Sequence, residues 1–159
     1  MDEYVGWHCV GGSYNVYYGQ QYPLFCVLSK GKIKGRRRKR SNYYGPTMHV
    51  GKLTHRLLYY QNRVYEFGIK GATAYSFSYW QKYLSSRLCS LEWSRYQTSD
   101  VSTKCLDGCV RNYERVFGEY HVFNNNCHHF ANILGNVLCT TPKGYCENWC
   151  IYNNYGRGY

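Results

Sequence analysis

The sequence predicts an α+β domain, and three stretches carry the prediction. His55-Arg-Leu-Leu-Tyr-Tyr, a turn at Gln61-Asn62-Arg63 and Val64-Tyr-Glu-Phe67, ended by Gly68, read as a β-hairpin over about 55–61 and 63–68. Leu106, Val110, Tyr113 and Phe117 recur at helical spacing behind Ser102, a good N-cap, and predict a helix from Ser102 through Phe117. Phe130, Ile133, Leu134, Val137 and Leu138 line one face of a second helix over Cys127–Leu138, which Pro142 prevents from continuing. Further strands are expected at about 22–29, at 74–80 (Ala-Tyr-Ser-Phe-Ser-Tyr-Trp) and, briefly, at Tyr120-His-Val-Phe, with three asparagines forming the turn before Cys127. Gly108 inside the first helix costs about 1 kcal/mol relative to alanine.

The second helix places Cys127 in its first turn. There the free backbone N–H groups and the helix dipole favour a thiolate, the nucleophilic form of cysteine. A base is then needed, and the chain has six histidines. His128 and His129 follow Cys127 directly, so helical geometry turns them away from its sulfur. His8 and His121 sit in tyrosine-rich surroundings without a further cue. His55 and His49 remain, both beside the hairpin. A histidine opening a strand and a cysteine opening a helix can meet at one end of a sheet. An oxyanion formed at the sulfur would find the Cys127 backbone N–H.

His55-(x)8-Val64-Tyr65-Glu66-Phe67-Gly68, followed by Tyr120-(x)2-Phe123-(x)2-Asn126-Cys127-(x)2-Phe130, resembles the PPPDE family of cysteine peptidases, which includes the desumoylating isopeptidases. Tyr22-Pro-Leu-Phe-Cys-Val-Leu-Ser29 resembles that family's opening strand, and the likeness spans about residues 20–140. The chain departs from the pattern at Arg56-Leu57, at Ile69-Lys-Gly-Ala and at His128, where the family writes asparagine. The resemblance implies a circularly permuted papain-like fold and a Cys127–His55 dyad. The implied reaction is isopeptide cleavage of ubiquitin or SUMO from lysine conjugates, needing no cofactor and no metal; family members can also pair as homodimers. His49 in His-Val-Gly-Lys-Leu is the alternative base, with a look of the related NlpC/P60 and lecithin-retinol acyltransferase enzymes. That alternative would make the chain a thioesterase or acyltransferase.

At 159 residues the chain is expected to form one domain, with residues 141–159 as a cysteine- and tyrosine-rich tail. Its 20 tyrosines suit strands and wet aromatic surfaces. Of the net charge of +11, Lys30, Lys32, Lys34, Arg36, Arg37, Arg38, Lys39 and Arg40 supply eight within 11 residues. So dense a run repels itself and is expected at 30–41 as a solvated insertion. Its candidate partners are a nuclear import factor, nucleic acid or an anionic membrane. A catalytically silent nucleic-acid-binding module is therefore a further alternative. Arg-Arg-Arg-Lys-Arg-Ser also matches a proprotein-convertase site, which needs a secretory route. No secretory leader or membrane span is read, so the expectation is a cytoplasmic or nuclear protein, in which disulfides are not the default for its nine cysteines. Cys105-x3-Cys109 is expected to pack on one helix face, with zinc binding or tail disulfides at Cys139, Cys146 or Cys150 as lesser alternatives.

Overall fold

Five strands, β1 (Tyr14–Tyr22), β2 (His55–Tyr60), β3 (Arg63–Gly68), β4 (Gly71–Ser76) and β5 (Ser90–Ser99), form one antiparallel sheet in the order β4-β3-β2-β1-β5. They belong to a computed structural model that describes residues 9–22, 54–85 and 89–151. Helices α1 (Phe77–Tyr79), α2 (Thr103–Phe117), α3 (Cys127–Thr140) and α4 (Asn148–Ile151) complete an α+β fold, as expected. Among the described residues no helix is long and apolar enough to cross a membrane.

Because strand side chains alternate, each strand serves two layers. Val16, Tyr18, Leu58, Tyr60, Tyr65 and Phe67 point to one face, where Leu106, Val110 and Tyr113 of α2 and Phe130, Leu134 and Leu138 of α3 close the main core. Leu57 and Val64 point to the other face and meet Trp80, with Tyr59, Phe77 and Trp93 packed around them. The β2–β3 turn is tighter than expected: Gln61 and Asn62 both take positive φ, and Arg63 already belongs to β3.

Two strand expectations need correction, and the first strand was not foreseen. That strand is Tyr14–Tyr22; beyond Tyr22, the strand expected at about 22–29 lies outside the described residues. Gly19 looks like a strand breaker in the sequence, yet it is a packing residue, since a Cβ there would lie 2.6 Å from the Trp93 ring. The strand expected at 74–80 is β4, ending at Ser76. Ser76 Oγ accepts from Tyr79 N and starts α1, which runs on as a π-helical turn over Trp80–Leu84. Aromatic side chains suggested a strand there, but packing on Leu57 and Val64 wins. Tyr120–Phe123 forms no strand. His121 and Asn125 instead exchange backbone hydrogen bonds across a closed turn.

Disulfides, which were not the default expectation, are present, and they include the tail positions Cys139, Cys146 and Cys150. Cys105–Cys146 and Cys109–Cys150 join α2 to the α4 region, and Cys9–Cys139 joins the segment before β1 to the end of α3. Cys89 is disulfide-bonded as well. Spacing explains the double staple: thiols at i and i+4 share one face of α2, and the pair at 146 and 150 has the same separation. Gly108 is what lets the two segments approach, because a Cβ there would overlap the Cys150 carbonyl oxygen. Among the described residues Cys127 is the one free cysteine.

Candidate active site

The site lies where β2 and β3 part. β2 pairs with β1 as far as Gln21↔His55, but with β3 only from Leu58↔Tyr65 onward. His55, Arg56 and Leu57 thus have no β3 partner, and the N-terminus of α3 fills the gap. The Arg56 N–H, facing that gap, donates to Cys127 Sγ at 3.4 Å.

The three asparagines before Cys127 include two that hold the approach. Asn125 accepts from the Tyr113 hydroxyl and donates to the carbonyls of Phe117, Gly118 and Glu119. Asn126 caps α3: its Oδ1 accepts from His128 N and His129 N, while its Nδ2 donates to Val122 O at 2.7 Å. These bonds occupy the next two first-turn amides. Cys127 is the first residue of α3, and its N–H is among those the helix itself leaves unbonded.

Cys127 and His55 are each about 1% exposed, and Cys127 lies near enough to act on the charge of the His55 ring. His55 Nε2 donates to Glu66 Oε1 at 3.0 Å; the carboxylate can only accept, so the ring proton sits on that nitrogen. The other carboxylate oxygen accepts from Trp80 Nε1 at 3.0 Å. A buried hydrogen-bonded chain Trp80–Glu66–His55 results, with Cys127 beside its end. Alternation explains why the sheet allows it, because His55, Leu57 and Tyr59 share the face of Val64 and Glu66. Burial by itself lowers the basicity of His55. The hydrogen bonds to Cys127 and Glu66, and the charges of both, outweigh it and raise the pKa from 6.5 to about 9.

Of the other expected residues, His128 shares the Thr54 carbonyl with Cys127 Sγ. Its Nε2 donates to Thr54 O at 2.7 Å, tying the residue after Cys127 to the residue before His55. Burial, together with the charges of Arg56, His55 and His129, lowers its pKa against that hydrogen bond. His129 completes the α3 cap, and His121 Nδ1 accepts from Phe123 N and Asn124 N. Tyr120 packs on Phe67, and burial followed by the nearby Cys127 pushes its hydroxyl pKa up to about 12. His49 and the basic run Lys30–Arg40 lie outside the described residues. Among the described residues no group of three His, Cys, Asp or Glu side chains is disposed to hold a metal.

Glu66 and Trp80 were missed as site residues. The signal for Glu66 was present: it interrupts the apolar run of β3 at an inward position, where a lone carboxylate needs a buried partner. Trp80 carried none, since it lay in a stretch expected to be a strand. No family model, curated protein or solved structure matches this chain.

Proposed function

We propose that the chain is a cysteine hydrolase of acyl bonds, in which Cys127 is the nucleophile, His55 the base and Glu66 the residue that orients the base. One observation carries this reading: a free thiol and an imidazole are buried together, and the imidazole is backed by a carboxylate that Trp80 holds in turn. With its pKa raised to about 9, His55 holds the shared proton at neutral pH, and the sulfur attacks a carbonyl carbon. The resulting oxyanion is met by the Cys127 N–H, and His55 returns the proton to the leaving group. Water, activated by the same ring, then releases the acyl group. Glu66 keeps the Nε2 proton in place, so Nδ1 is the ring nitrogen that exchanges a proton with the sulfur and the leaving group.

The substrate suggested by the likeness to PPPDE peptidases is a lysine isopeptide of ubiquitin or SUMO. The order of histidine before cysteine is in keeping with the circularly permuted papain-like relation that the likeness implies. The disulfides favour a second reading with the same chemistry. Stapled cysteines suit an oxidising compartment rather than the cytoplasm or nucleus first expected, and there a thioesterase or acyltransferase acting on small acyl substrates fits better.

The test is the rate of Cys127 alkylation by iodoacetamide against pH in wild type, His55→Ala and His49→Ala. Fast labelling at neutral pH that is lost only in His55→Ala is expected. Loss only in His49→Ala would move the base to the acyltransferase-like histidine. Ordinary thiol behaviour in all three would end the enzyme reading.

A further inference from the structure

Arg56 follows the base directly and has its backbone N–H on the reacting sulfur, yet among the described residues its half-buried side chain has no counter-charge. Nε is buried and has no hydrogen-bond partner. Nη2 reaches Gln20 Oε1 only at 3.5 Å, and that oxygen already accepts from Thr54 Oγ1 at 3.2 Å. The Tyr18 ring supports the group from 5.6 Å.

Carboxylates are close in the fold, but among the described residues none pairs with it. Glu66 belongs to the other face of the sheet and is held by His55 and Trp80. Glu92 stands opposite Gln20 on β5, in the same cross-strand row, and forms no ion pair with Arg56. The remaining neighbours that sense its charge include His128. Buried guanidinium groups are normally paired, and their planar fork fits carboxylate or phosphate oxygens.

We infer that Arg56 holds an anionic group, a carboxylate or a phosphate, carried by the acyl substrate and seated beside Cys127. The inference rests on the hydrolase reading and narrows it to substrates with a negative charge near the scissile carbonyl. Arg56 thereby selects the substrate, while His55 performs the proton transfer.

Iodoacetate and iodoacetamide alkylate the same sulfur by the same displacement and differ only in a carboxylate, so their rate ratio cancels the reactivity of the thiol. His55 contributes its own attraction for the anion, which Arg56→Gln leaves in place. The ratio is expected to fall about tenfold in Arg56→Gln, the worth of one charge-assisted hydrogen bond. Arg56→Lys is expected to keep part of it. Acetate and inorganic phosphate, added as competitors of iodoacetamide, distinguish the two anions: the one the site fits protects wild type and not Arg56→Gln.

An unchanged ratio in folded Arg56→Gln overturns the inference. Should Cys127 label with neither reagent, the hydrolase reading fails by that result, and anion binding is read without the thiol. Millimolar phosphate or acetate should then raise the melting temperature of Cys127→Ser but not of Cys127→Ser/Arg56→Gln. Equal shifts in both, or none in either, overturn the inference.

Discussion

At the α2–α4 corner the chain is joined by Cys105–Cys146 and Cys109–Cys150, whereas around Cys127 it relies on hydrogen bonds running from Trp80 through Glu66 to His55. Both regions are buried and both contain cysteine, but they need opposite properties. The corner has to hold a short tail helix that buries little apolar surface of its own. On the proposed reading the site has to keep one sulfur free and allow a proton to pass between sulfur and ring. Burial of Cys127 serves that second need, because a sheltered thiol is slow to exchange with disulfides.

The strongest separation of the two regions is expected from the corner. Replacing Cys105 and Cys146 by alanine removes a cross-link between residues 41 apart in sequence and should cost about 2–4 kcal/mol in denaturant unfolding. Cys127 alkylation well below the melting temperature should stay unchanged. A loss under about 0.5 kcal/mol would mean that packing alone holds the corner.

Glu66→Gln acts on the other side of the comparison. It preserves shape but removes the charge behind His55, and Cys127 alkylation near neutral pH should slow about ten- to a hundredfold. A second readout is pH. The folded pKa of His55 is raised from 6.5 to about 9, so its contribution to stability is complete below 6.5 and is lost as pH rises through about 9. Wild type should therefore lose stability across that window and Glu66→Gln should lose less. Identical pH profiles for the two proteins would remove Glu66 from the site.

A weaker response is expected from Trp80→Phe, which keeps the ring packed on Leu57 and Val64 but deletes the N–H to Glu66. Stability should fall by about 1 kcal/mol, with a modest slowing of alkylation. Slowing as severe as in Glu66→Gln would show that the indole does more than hold the carboxylate.

Much of the framework was legible because it is local. Ser102 and Asn126 cap their helices, and the 3.6-residue spacing of Leu106, Val110 and Tyr113, and of Phe130, Leu134 and Leu138, marks their buried faces. The β2–β3 hairpin showed itself by its polar turn. β1 and β5 were not legible: Gly19 and the tyrosines of β1 obscure its alternation, and β5 carries exposed Glu92 and Arg95 and shifts register against β1 between Val16 and Tyr17. Their pairing joins distant segments, and no local pattern records such a partner.

Local signals were enough to put Cys127 at the start of a helix and His55 at the start of a strand, because caps, turns and periodicity act over a few residues. Tertiary contact was needed to make β2 and β3 part at Leu58, to set Glu66 and Trp80 behind His55, to leave Arg56 without a counter-charge among the described residues, and to choose which cysteines pair. Each of these depends on residues brought together from positions far apart in the chain, and that proximity comes from burial of the shared core rather than from any local preference.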